Sequence, residues 1–112
     1  MAIQIKRVYE PFDKKDGFRI LVDRLWPRGM KKEKAHIDLW LKEVAPSTEL
    51  RQWYHKDMTN WTEFVKRYKA ELRENEALDE LRRLVKEHKQ VTLLYGVKDE
   101  EHNHAHILLK SL

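Results

Sequence analysis

Two short apolar runs constrain this chain more than any other feature: Phe18-Arg19-Ile20-Leu21-Val22 and Val91-Thr92-Leu93-Leu94-Tyr95. Each is about one strand long and lacks the regular polar alternation of a sheet with one wet face. Such runs are expected of inner strands buried on both sides, the habit of parallel sheets in α/β proteins. Both end abruptly. Asp23-Arg24-Leu25-Trp26-Pro27-Arg28-Gly29 follows the first, where proline cannot donate to a ladder and glycine permits a turn. Gly96 and the polar stretch Lys98-Asp99-Glu100-Glu101-His102 follow the second.

The remaining segments fit around these strands. Ile3, Ile5 and Val8 mark a strand over 2–9, stopped by Glu10-Pro11, and a charged turn spans 12–17. Residues 36–44 alternate as a strand would but also fit a helical stripe, and an extended segment is favoured. Ser47 is placed to cap a helix over 47–55. Asn60 with Glu63 reads as a capping-box variant opening a helix over 60–74, and Asn75 as the cap of one over 76–88. Asn103 starts a last helix, 103–111. The aromatic and leucine stripes of these helices, with Trp53 and Trp61 among them, read as packing residues. Leu21, Phe64, Tyr68, Leu81, Leu93 and Leu108 are expected in one core. A length of 112 residues suits one domain, 1–112. The expected fold class is therefore α/β, a small, mostly parallel sheet covered by helices in a three-layer-like arrangement. Strand order stays open, because the link from the first strand to the second is short for a parallel crossover.

Composition narrows the chemistry. The chain has no cysteine, which removes disulfides, thiolate metal sites and a thiol nucleophile. No apolar run is long enough to cross a bilayer and no signal-peptide core is visible, so a soluble cytoplasmic protein is expected. Phosphate-binding glycine loops, the nucleophile elbow and zinc spacings are missing, and no cofactor is expected. The net charge of +4 is local: residues 1–40 carry 10 basic and 6 acidic groups, while 41–112 carry 13 of each. Arg24, Arg28, Lys31, Lys32 and Lys34 hold the excess, opposed nearby by Glu33. That asymmetry suits an anionic ligand or partner, or a solvated lysine-rich loop.

Two loops carry the candidate chemistry, each just past a buried strand, where open α/β sheets bind their ligands. In the first, Arg24 and Arg28 offer forks for phosphate, sulfate or carboxylate, or partners for nearby acids. Trp26 can stack on a ring or simply pack. In the second, Lys98, Asn103 and His104 are further candidate ligand contacts, and Asp99 with His104 is the weak candidate for a catalytic pair. His102, His104 and His106 would share a face on a strand. A helix starting near Asn103 splits them, so no metal site is expected.

The blocks VDRLWPRG (22–29), DLWLKEVAPSTELRQWYH (38–55) and LLYGVKDEEHNHA (93–105) resemble the YeaO-like proteins of domain of unknown function 488, over nearly the whole chain. The resemblance implies an α/β domain of the bacterial or archaeal cytoplasm and supplies no catalytic role for any residue. Longer relatives carry cysteines near the second loop, and this chain has none there, so thiol chemistry does not carry over. Two functions follow as expectations. The first is a pocket for a small anionic ligand, binding or enzymatic, formed by the two loops. The alternative is a non-catalytic interaction module whose basic loop docks an acidic protein or nucleic acid. Loops converging on a closed cleft favour the first, and a convex surface bearing Trp26 and Arg28 favours the second.

Overall fold

The strands, in chain order, are Ala2–Arg7 (β1), Phe18–Leu21 (β2), Leu39–Trp40 (β3) and Gln90–Tyr95 (β4). In the computed structural model, which describes residues 2–112, they lie side by side as β1-β4-β2-β3 and every pair is parallel. The short link over 8–17 therefore joins strands that are not neighbours, with β4 between them. Five helices complete the domain: Lys32–Ala35 (α1), Thr48–Lys56 (α2), Trp61–Arg73 (α3), Glu76–Glu87 (α4) and His104–Ser111 (α5). No helix among the described residues is long and apolar enough to cross a membrane.

The register decides which side chains face where. Ile20 stands opposite Leu93 and Leu21 opposite Leu94. Alternation along a strand then sends Ile20, Val22, Val91, Leu93 and Tyr95 to one face, where they pack with residues of α2, α3, α4 and α5. Leu21 and Leu94 point to the other face and form a second cluster with Val8, under Trp26, Met30, Ile37 and Trp40. Leu21 thus departs from the single core expected for it, since one residue's shift in a strand reverses its face. The layer over that second face is the loop 22–38 with its single-turn helix.

One local reading is corrected and one is narrowed. Asn60 makes no side-chain cap; its amide donates to Asp57 instead (3.4 Å). The capping box of this chain lies at Asp13 and Asp16, around a 3₁₀ turn. Residues 36–44 contain only the two-residue β3 and a 3₁₀ turn over Lys42–Val44. Ser47, Asn75 and Asn103 do cap, accepting from the N–H of Leu50, Ala77 and His106.

A buried arginine holds the second face together. Arg19, 1% exposed, donates to the carboxylate of Asp16 and to the carbonyls of His36 (2.9 Å) and Ala35 (3.1 Å). Asp16 also accepts from Lys6 (3.0 Å) and Gln4 (3.2 Å), and the Thr92 hydroxyl donates to the Asp16 carbonyl (2.7 Å). Phe12 stacks on His36 and lies 5.2 Å from the guanidinium. The site demands Gly17, whose φ is 71° and where a Cβ would sit 2.2 Å from the carbonyl oxygen of Gln90.

Two predictions follow. Leu93, fully buried, should cost about 2–5 kcal/mol when truncated to alanine, measured by denaturant unfolding. Desolvation pushes the Asp16 carboxyl up, but bonds from Lys6, the Asp13 N–H and Arg19 outweigh it and hold its pKa below the ordinary 3.8. A depressed folded pKa adds stability that is complete above the unfolded value and is lost as pH falls through the folded value. Asp16→Asn should therefore flatten the pH dependence of stability below about pH 4, where the wild type steepens; equal slopes for both proteins would exclude the pair as a source of acid sensitivity.

Candidate functional site

Because β2 and β4 run parallel in adjacent register, the loops that follow them leave the sheet at the same edge. They meet there beside α2 and the start of α3, enclosing a cleft of about 570 Å³. That volume lies within the range of small-molecule sites. All seven residues singled out in the two loops line it: Arg24, Trp26, Arg28, Lys98, Asp99, Asn103 and His104. Lys31, Lys32 and Lys34 are exposed and lie outside the lining, so much of the basic excess is elsewhere on the surface.

Each of these residues has its own contacts. Arg24 spends two donors on backbone carbonyls, Nε on Pro46 (3.1 Å) and Nη2 on Ala45 (3.1 Å), and so clamps the approach to α2 against the first loop. Trp26 donates to Met30 (2.7 Å) and packs edge-on against Trp40, which places it with the second-face cluster. Asn103 is buried and serves the loop itself: Oδ1 accepts from the His106 N–H and Nδ2 donates to the Asp99 carbonyl (3.0 Å). Arg28 and Lys98 are exposed at the rim.

The expected pairing of Asp99 with His104 does not occur. Asp99 turns its carboxylate back on its own loop, accepting from the N–H of His102 and Glu101, which hold its pKa below the ordinary carboxylate value. His104 reaches Asp23 instead. Its Nε2 lies 2.9 Å from the Val22 carbonyl and 3.2 Å from Asp23 Oδ1. A carbonyl can only accept, so Nε2 carries the proton and Nδ1 is left as an acceptor in the neutral ring. Asp23 Oδ2 accepts from the Gly96 N–H (2.9 Å), pinning the two loops together, and a Cβ at Gly96 would stand 3.0 Å from that oxygen. Oδ1 is buried and unpaired, since the one Nε2 proton is committed to Val22.

The inner wall comes from residues with no obvious sequence signal. Arg51 and Tyr54 share a face of α2 three residues apart, which was the signal available, and exposed Met58 follows just past the helix end. Arg51 Nε is buried without a partner. Tyr54 packs on Phe64 (4.6 Å) and Trp61 (5.9 Å); burial, with Asp99 nearby, raises its phenol pKa and keeps the hydroxyl protonated at neutral pH. His102 lies 4.9 Å from Trp61, and His106 bonds the Glu100 carbonyl, so the three histidines face separate partners. No group of three histidine, aspartate or glutamate side chains among the described residues is arranged to hold a metal ion.

A family model described as the inactive DUF488-N3 subclade matches residues 2–112. The chain belongs to that subclade. It is 45% identical over 108 residues to the uncharacterized protein YeaO of Escherichia coli K12, covering 96% of this chain and 94% of the relative. It is 42% identical over 110 residues to the uncharacterized proteins Mb3100c of Mycobacterium bovis and Rv3073c of Mycobacterium tuberculosis, covering 98% of this chain and 92% of each. No solved structure matches. The matched span includes every residue that lines the cleft.

The clamp role makes Arg24 a poor probe of binding alone. Arg24→Ala should destabilise the fold by about 1–3 kcal/mol in urea unfolding, because two carbonyls lose a charged donor; unchanged stability would show that the clamp is dispensable.

Proposed function

We propose that this chain is a cytoplasmic binding protein for a small organic anion, held in the cleft at the C-terminal edge of the sheet. One observation carries the reading. Among the described residues, two buried side-chain polar atoms lack a hydrogen-bond partner, Arg51 Nε and Asp23 Oδ1, and both residues line this cleft. Buried polar groups in folded proteins are nearly always satisfied, because leaving one unpaired costs its full desolvation. A donor and an acceptor left over in one concave site specify a ligand with both features. Its acidic group accepts from Arg51, and a hydroxyl or N–H donates to Asp23.

Arg51 replaces Arg24 as the anchor, since the fork of Arg24 is occupied by Ala45 and Pro46. Arg28 and Lys98 at the rim add attraction at a distance, while Asp99 is engaged by its own backbone. Concavity supports a pocket over a flat docking face. The description of the subclade as inactive supports binding over turnover.

Calorimetric titration of phosphate, sulfate and acetate into the wild type and Arg51→Ala tests this. The wild type should bind at least one of them saturably, and Arg51→Ala should weaken that binding by roughly tenfold to a hundredfold, the worth of a hydrogen bond to a charged group. Binding by no anion at millimolar concentration, or binding indifferent to Arg51, rejects the proposal.

A further inference from the structure

We infer that the ligand of this cleft is an aromatic acid, its planar ring lodged among Tyr54, Trp61 and the apolar mouth; this rests on the binding reading above. The described residues include five large apolar side chains that are exposed: Tyr9 (42%), Phe12 (44%), Leu25 (60%), Met58 (52%) and Val97 (37%). Phe12 is accounted for by its stack on His36. The other four all line the cleft, although they come from four separate stretches of chain. Scattered apolar residues on a surface need no explanation, but four converging on the rim of one cavity do.

Inside that rim the wall is aromatic. Tyr54, Trp61 and Phe64 pack on one another with centroids 4.6–5.9 Å apart, and Trp61 keeps part of its surface exposed. Aromatic walls favour rings over saturated groups of equal size, because edge and face carry opposite partial charges and reward offset or edge-on contact. The charged groups sort to fit the acid end. Arg51, whose Nε is unpaired, lines the same cleft, and Arg24, Arg28 and Lys98 outnumber the two lining carboxylates, Asp23 and Asp99. A site with an apolar ring slot, an unspent cationic donor and one unspent acceptor matches an aromatic acid bearing a hydroxyl or ring N–H.

Four probes separate this inference from the reading it rests on: 4-hydroxyphenylacetate, its neutral amide, 4-hydroxycyclohexylacetate and acetate. Each is titrated into the full chain by calorimetry, with methyl carbon–proton spectra recorded in parallel. The aromatic acid should bind roughly tenfold more tightly than the cyclohexyl acid and than acetate. It should also impose ring-current shifts on the methyls of Met58, Leu25 and Val97, which the cyclohexyl acid cannot do. Met58→Ala and Leu25→Ala, both at exposed positions that the fold does not need, should weaken the aromatic acid severalfold and leave acetate unchanged. Equal affinity for the aromatic acid, the cyclohexyl acid and acetate overturns the ring slot and leaves the anion site standing. Equal affinity for the aromatic acid and its amide overturns the anion site and leaves the ring slot standing. Absence of binding by all four overturns both.

Discussion

Hydrogen bonding on both sides of β4 is what the rest of this molecule depends on. The last strand of the chain lies in the middle of the sheet, paired with β1 over six residues and with β2 over four. β1 has no other strand partner, and β2 otherwise meets only the two residues of β3. The sheet therefore cannot assemble until residues 90–95 arrive, and its ladders span most of the chain in sequence. Such pairings are entropically expensive to close and are repaid by burial, here of five consecutive side chains, Val91 to Tyr95. The same placement makes the cleft. Inserting β4 beside β2, in parallel, delivers loops 22–29 and 96–103 to one edge.

The two faces of the sheet are held by different physics. On one, helices α2 to α5 bury a conventional apolar core. On the other, an apolar cluster is joined to a charged centre in which Arg19 is saturated by Asp16 and two carbonyls. A buried ion pair adds little net stability over a well-packed apolar substitute, yet removing one partner is costly. What Arg19 supplies is position: its bonds to Ala35 and His36 tie the covering loop to β2, and the start of that loop carries Asp23 and Arg24 into the cleft. The covered face and the cleft are thus joined by the continuous segment 19–24.

Periodicity and turn chemistry made much of this legible. The continuous runs at 18–22 and 91–95 announced inner strands, and Ser47, Asn75 and Asn103 announced their helices, because these signals are local. The loops after the two strands were legible as a candidate site for the same reason. What was not legible depends on partners distant in sequence. Asn60 looks like a cap until Asp57 takes its amide. Arg19 reads as an interruption of a strand, and only the approach of residues 16 and 35–36 turns it into a buried anchor. Asp99 and His104 are close in sequence and of suitable chemistry, but the helix cap at Asn103 directs them apart, and His104 finds Asp23 some 80 residues away. Arg51 sat unremarked on a helix face because nothing local distinguishes a solvated arginine from one whose Nε is buried.

The proposed function rests on two side-chain atoms without hydrogen-bond partners, in residues that line one cleft. The relatives from Escherichia coli and Mycobacterium tuberculosis align with this chain over more than nine tenths of their length, so the same question applies to each. The most direct measurement is the nitrogen–proton resonance of the Arg51 side chain, observed with and without saturating acetate. An anion seated on Arg51 Nε should move that resonance downfield and slow its exchange with water, while the Nε signals of Arg67 and Arg83, already bonded to glutamates, stay where they are. An unmoved Arg51 resonance, or an equal shift at all three arginines, would contradict an anion site in the cleft.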